Sequence, residues 1–300
     1  MRTMTLRELY REGCRELASA GVPDAENDAW LLLNHVFSIS RAVFYLKAAE
    51  EAGEEETKKY RKLILERAGR KPLQQITGEQ EFMGLSFLVT EDVLIPRQDS
   101  ETLVEEVLKD WQDPAGTEPM SVLDLCTGSG CLGLSVGFFW EKAGRPWHLL
   151  CTDLSEKALQ VALQNRDRVL PEACRERVSF AQGDLFEALR EHFDVIVSNP
   201  PYIPTSEVEH LMPEVKDFEP RMALDGEADG LAFYRRIAKE APDYLKKSGR
   251  IYLEIGYDQG EAVSALLAEN GFTDIAVIRD LAGNDRVVKG RFSEEEKKDV

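Results

Sequence analysis

Histidine and cysteine are scarce, four and five in 300 residues, so the side chains most used for metal sites and covalent nucleophiles are few. His35, His148, His192 and His210 are scattered and form no H-E-x-x-H pattern. Cys14, Cys126, Cys131, Cys151 and Cys174 contain no C-x-x-C pair and no metal-ligand spacing. They read as reduced residues in or near a core, and no metal site is expected. Positive charge is short too: 37 lysines and arginines face 55 carboxylates, a formal net charge of -18, with no basic patch of convincing length. Phosphate backbones are repelled by such a surface, so direct nucleic-acid binding is not expected, whereas a basic protein partner would be attracted. No apolar run approaches the roughly 18 residues of a membrane span. Met1 to Ala20 also lacks a signal-peptide pattern. The expectation is a cytoplasmic protein with no membrane association.

What is present describes an ordinary globular chain, 43% hydrophobic and 31% charged. Its length allows a core domain of about 200 residues plus a smaller one. Leu6, Leu9, Tyr10 and Leu17 recur at helical spacing before Gly21 and Pro23 stop the pattern. Asp24 is placed to cap a second helix reaching Phe37, and helices near 41–49 and 54–67 follow. Gly69 to Pro72 breaks the helical pattern, which puts a domain boundary there. Residues 74–95 alternate polar with apolar side chains around Gly78 and Gly84, the pattern of a β-hairpin. Asp99 or Ser100 is then expected to cap a helix carrying Leu103, Val104, Val107 and Leu108.

Val122-Leu123-Asp124-Leu125 reads as the first strand of the large domain. Cys126, Thr127, Gly128, Ser129 and Gly130 follow it as a glycine loop that lets a ligand approach the backbone before a helix N-terminus. Gly128, Gly130 and Gly133 match G-x-G-x-x-G, with Asp153 twenty residues beyond Gly133, which by itself would suit a dinucleotide and an oxidoreductase. Asp124 argues otherwise, because a carboxylate at that strand end would repel a pyrophosphate but can accept from an ammonium group or an ordered water. At the end of the second strand, Asp153 can grip a ribose diol. A ligand with ribose and ammonium but no phosphate, S-adenosylmethionine, fits both. Asp184, at the third strand end, is placed to accept from an adenine amino group or to cap a helix, and Leu185 or Phe186 to cover the base.

Phe193 to Ser198 is an apolar, β-branched run that reads as a strand buried on both faces. Asn199-Pro200-Pro201-Tyr202 therefore stands at its carboxyl end, where open α/β sheets bind ligands. The consecutive prolines remove two backbone donors and make a rigid corner. Its Asn199 side-chain oxygen and Pro200 carbonyl can accept both hydrogens of a planar –NH2 group, with the Tyr202 ring against the flat face. A planar nitrogen is a poor nucleophile, so alignment and charge stabilisation must supply much of the rate. The element order, strands alternating with helices, predicts a doubly wound α/β sheet. Residues 203–229 read as a substrate-flanking loop, Glu254 as a structural brace at another strand end, and the tail from Ser293 as frayed.

Ile95-Pro96-Arg97, the stretch from Asp124 to Gly130, Asn199 to Ile203, Glu219-Pro220 with Ala223-Leu224, Gly230-Leu231 and Gly283-Asn284-Asp285-Arg286 together resemble the release-factor glutamine N5-methyltransferases, the HemK family. The tetrapeptide at Asn199 is shared with adenine-N6 methyltransferases, an alternative reading that the net acidity opposes. An NAD-linked oxidoreductase is a further alternative, opposed by Asp124 and the Asn199 corner. The resemblance implies a seven-stranded methyltransferase sheet over residues 97–300, a helical recognition domain over 1–72 and a β-hairpin linker over 73–96. It also implies methyl transfer from S-adenosylmethionine to the glutamine of the Gly-Gly-Gln motif in class 1 peptide chain release factors. Carried over by residue, Cys126 to Gly130, Asp153 and Asn199 border the cofactor, and Asn199 to Tyr202 hold the glutamine. Arg97 would meet the cofactor carboxylate or brace the hairpin. Cys126 stands where methyltransferases often carry the first loop glycine, a substitution that disfavours a left-handed backbone there.

Overall fold

The computed structural model describes residues 4–112, 118–187 and 189–293. The charged tail, from residue 294 on, lies outside them. Two compact units are formed, the smaller from Met1–Glu79 with Met212–Phe218 and the larger from Gln80–Leu211 with Glu219–Val300. No single helix among the described residues is long and apolar enough to cross a membrane.

The smaller unit is helical: α1 (Leu6–Ser19), α2 (Ala25–Phe37), α3 (Arg41–Lys47), α4 (Glu54–Ala68) and α5 (Leu73–Thr77). Thr5 starts α1 with a capping box, its hydroxyl accepting from the Glu8 amide while the Glu8 carboxylate accepts from the Thr5 amide. Asp24 does occupy the N-cap of α2, but its carboxylate makes no capping bond. Its ψ of 44° is not the extended backbone that aims a cap side chain at the first turn. Leu9, Leu17, Leu32 and Leu33 are fully buried, and Tyr60 of α4 fills the gap left by Gly13, where a Cβ would lie 2.1 Å from its hydroxyl. That hydroxyl donates to the Ala29 carbonyl at 3.2 Å, so one tyrosine ties α1, α2 and α4 together. Residues 73–77 turn as a short helix, and the extended chain begins only after Gly78 ends that turn in the left-handed conformation.

In the larger unit, β1 (Glu79–Phe82) and β2 (Leu85–Leu88) make a two-stranded sheet. Phe82 and Phe87 pack edge to face inside its core, with ring centroids 6.1 Å apart. The order continues α6 (Glu101–Asp110), β3 (Met120–Leu125), α7 (Cys131–Lys142), β4 (Trp147–Asp153), α8 (Glu156–Val169), β5 (Val178–Gln182) and β6 (Phe193–Ser198). Short helices α9 (Thr205–Val208) and α10 (Pro213–Lys216) precede α11 (Ala232–Glu240), β7 (Leu245–Glu254), α12 (Gly260–Glu269), β8 (Phe272–Arg279) and β9 (Asp285–Phe292). Of these, α10 belongs to the smaller unit.

Seven strands form one sheet in the order β5-β4-β3-β6-β7-β9-β8, with β9 antiparallel to both its neighbours and the other pairs parallel. This is the doubly wound sheet expected from the element order. All six residues of β3 are buried, because helices cover both faces of a parallel sheet. The chain leaves β3 toward β4 on one side and returns as β6 on the other. Their carboxyl ends diverge there, which opens a crevice at the switch point.

Candidate active site

A cleft of about 240 Å³ lies at that edge. Cys126, Thr127, Gly128 and Ser129 line it from the β3 end, Asp153 from β4, Asp184 and Leu185 from beyond β5, and Asn199 with Pro201 from the β6 end. The topology thus brings together most residues singled out in the sequence. Asp124, Gly130 and Tyr202 are not among the lining residues and build what lies behind them, and Pro200 stands between the two lining residues Asn199 and Pro201.

The glycine loop is held from below by Asp124. One carboxylate oxygen accepts from the Thr127 hydroxyl at 2.7 Å and from the Gly133 amide at 2.9 Å. Its other oxygen is buried with no hydrogen-bond partner. Burial, the dominant cause, pushes this carboxyl up to about 7 against the pull of those two donors. A Cβ on Gly133 would meet Asp124 at 2.8 Å, so that glycine serves packing, whereas a Cβ on Gly128 would meet open space. Gly128 is left-handed, at a φ of 54°. Cys126 is left-handed as well, at 59°, despite its Cβ. The following amide donates to the Thr152 carbonyl at 2.9 Å, which fixes the turn and offsets a cost of roughly 1–2 kcal/mol.

Asp153 joins the loop to the second strand. Its two oxygens accept from the Gly128 amide at 2.9 Å and the Ser155 amide at 2.8 Å, and burial raises its pKa above the ordinary carboxylate value. Each oxygen keeps a lone pair for a ligand hydroxyl. Asp184 caps no helix among the described residues; it pairs with Arg236 at 3.0 Å. Leu185 is buried and left-handed, at 52°.

At the β6 end, the Ser198 hydroxyl donates to the Leu125 carbonyl at 2.7 Å and pins the two diverging strands. Asn199 then turns into the cleft, its side-chain amide bonded to no described residue. Tyr202 packs against the apolar layer behind the corner, and burial raises its phenol well above the usual range. The corner's backbone is clamped by residues that no local pattern reveals. Gln259 donates to the carbonyls of Tyr202 and Gly230, at 3.0 and 3.3 Å. Gly226 and Gly230 pack so closely that a Cβ would lie 2.8 Å from the Tyr202 Cα and 2.3 Å from its carbonyl oxygen, respectively. Ile203 bridges to Asp225, so the loop after the corner folds back on it.

Another part of the cleft wall, Pro96, Arg97 and Ser100, is held by the buried carboxylate of Glu219. Glu219 accepts from the Ile95 amide at 3.2 Å and pairs with Arg97, whose side chain is 39% exposed toward the cleft. Ser100 stands at the N-cap of α6 without capping it, because its backbone, at φ -68° and ψ -17°, is already helical rather than in the extended form that aims a cap side chain at the first turn.

These features fit S-adenosylmethionine. An orphaned buried carboxylate oxygen on Asp124, with Asp153 beside it, suits a cationic ligand bearing hydroxyls, and the glycine loop carries no basic side chain for a phosphate. The open space at Gly128 admits a ligand against the backbone.

Comparison with known proteins agrees with this geometry. The PrmC N-terminal domain profile matches residues 8–78, and the methyltransferase small domain profile matches residues 99–214. The release factor glutamine methyltransferase of Geobacter sulfurreducens is 41% identical over 277 residues, which cover 92% of this chain and 93% of that protein. Its counterpart in Clostridium botulinum is 39% identical over 291 residues, 96% of this chain and 99% of that one. That of Cereibacter sphaeroides is 39% identical over 290 residues, again 96% and 99%. Identity at this level along nearly the full length of each protein, on a methyltransferase sheet with a glycine loop and an Asn-Pro-Pro-Tyr corner, means that the chain belongs to the release factor glutamine methyltransferases.

Proposed function

We propose that this protein transfers a methyl group from S-adenosylmethionine to the side-chain amide nitrogen of the glutamine in the Gly-Gly-Gln motif of class 1 peptide chain release factors. The observation that carries the reading is the convergence of Asn199 on the same cleft as Asp153 and the glycine loop. When bound, the cofactor supplies a methyl group made electrophilic by its sulfonium.

Everything else falls to the chain's own residues. Asp153 would hold the ribose hydroxyls, Asp124 would favour positive charge from behind the loop, and Asp184 with Leu185 would border the base. Asn199 and Pro200 would accept the two amide hydrogens of the glutamine. Because nitrogen becomes more acidic as it gains carbon, both hydrogen bonds strengthen toward the transition state. The clamp of Gln259, Gly226 and Gly230 keeps those acceptors from relaxing, so the alignment is prepared before the substrate arrives.

Asp153→Ala should weaken S-adenosylmethionine binding by about 1.5 to 3 kcal/mol, the loss of hydrogen bonds to a charged group. Calorimetry on a folded variant checks it, and unchanged affinity would move the ribose elsewhere. Function itself is tested by incubating the enzyme with labelled S-adenosylmethionine and a class 1 release factor, native or with the Gly-Gly-Gln glutamine replaced by alanine. Label is expected on the native factor alone; equal labelling of both would reject the proposed target.

A further inference from the structure

Glu254 is the buried charge that this mechanism does not use. It ends β7, one residue beyond Leu253, which pairs with Ser198 of β6, so Glu254 and Asn199 follow at the same level of neighbouring parallel strands. Its residue is 1% exposed, and one carboxylate oxygen has no hydrogen-bond partner. Asn199, beside it on the neighbouring strand, lines the cleft. The charge therefore lies one strand away from the part of the cleft wall that Asn199 forms. It is felt inside that site, since the Cys131 thiol, also in the cleft wall, is raised by it as well as by Asp124 after the larger effect of burial.

No described cation pairs directly with Glu254, and the two nearest guanidiniums are engaged elsewhere. Arg97 pairs with Glu219. Arg286, from β9, pairs with Asp280 at 3.1 Å and Asp99 at 3.5 Å. Two guanidiniums thus face four carboxylates, Asp99, Glu219, Asp280 and Glu254, and the group is anionic in excess. Tyr202 and Tyr234 also face Glu254; both phenols are neutral and held so by burial. A buried negative charge without a counter-ion is costly, and a positive ligand in the adjoining cleft would relieve that cost.

We propose that Glu254 is a specificity-determining residue that makes the cleft prefer the positively charged sulfonium donor over its uncharged thioether product. Such a preference speeds turnover by weakening the hold on product once the methyl group and its charge have left. The inference rests on the S-adenosylmethionine reading above. Burial, before any charge effect, pushes Glu254 up to about 7, so its ionisation should be linked to binding of the cation.

The test is calorimetric binding of S-adenosylmethionine and S-adenosylhomocysteine to the native protein and to Glu254→Gln. Glutamine keeps the shape and removes the charge. Affinity for the sulfonium should fall about tenfold, the scale of one nearby charge at an effective dielectric of about 20, and affinity for the thioether by less than about twofold. A parallel fall for both ligands would make Glu254 a structural brace and overturn the proposal, as would no change for either. Failure of the native protein to bind either ligand would instead overturn the cofactor reading beneath it. Independently of any variant's folding, the native preference for the sulfonium should rise between about pH 6 and about pH 8, as a carboxyl in that range ionises. A flat preference, or an equal rise in Glu254→Gln that assigns the effect to Asp124, would overturn it too.

Discussion

Asn199→Ala should slow methyl transfer to a release factor by about 10² to 10³, the usual cost of losing one preorganised polar contact to a transition state. Affinity for S-adenosylmethionine should change much less. The substitution removes one of two acceptors for the substrate –NH2 but leaves both prolines and the clamp on the Tyr202 carbonyl, so the corner itself would persist. The glutamine could enter, yet its nitrogen would no longer be aimed. Since the lost bond strengthens only as the nitrogen gains carbon, the effect should fall on kcat more than on KM. Asn199→Asp keeps an acceptor and should be less damaging. Steady-state rates with intact factor check both variants, and undiminished kcat in Asn199→Ala would remove the corner from the mechanism.

Arg67→Ala should destabilise the smaller unit by about 3 to 5 kcal/mol, because it strands the buried Asp28 carboxylate. Arg67 is 7% exposed in its side chain and pairs with Asp28 at 2.7 Å and with Glu214 at 3.0 Å. Glu214 keeps a second partner, Arg70, at 2.6 Å, but Asp28 has no other ion pair among the described residues. Burial alone would raise the Glu214 carboxyl, yet the two guanidiniums hold it below its ordinary value. The segment 212–218 owes its place in this unit to that cluster and to the Gln75 amide, which donates to the Phe218 carbonyl at 2.9 Å. Urea unfolding of the variant followed by circular dichroism measures the loss. A change under about 1 kcal/mol, typical of an exposed pair, would show that the cluster is solvated in solution.

The Arg67 cluster also marks where reading the sequence stops. Periodicity locates α1 to α4, the buried strands and the ends of those strands, since each is written in neighbouring residues. Asp124, Asp153 and Asn199 can be placed at the sheet's carboxyl edge for the same reason. Glu214 joins partners 144 and 147 residues away, and no local pattern encodes that pairing. Gln259, Gly226 and Gly230 likewise act on a corner formed by distant residues. The glycines do stand in the loop sequence, but only the fold shows that their missing Cβ atoms make room for the Tyr202 backbone. Cys126 misleads for a related reason. Its Cβ disfavours the left-handed turn locally, and the bond from the next amide to Thr152 outweighs that preference. At residues 74–77 the alternating pattern suggests strand, and a turn of helix after Pro72, Leu73–Thr77, takes its place. Short segments follow their termini more than their periodicity. Glu254 can be placed at a strand end from the sequence, but its unpartnered oxygen is visible only where Ser100, Arg97 and Arg286 meet around it.

Which atom receives the methyl group is the central question, and mass mapping answers it most directly. A class 1 release factor would be treated with the native enzyme and S-adenosylmethionine, digested, and fragmented so that the added methyl is located within the Gly-Gly-Gln peptide. The expected result is a single methyl on the side-chain nitrogen of that glutamine, absent when Asn199→Ala replaces the native enzyme under the same brief reaction. A methyl on another residue, or on the backbone rather than the side chain, would contradict the account.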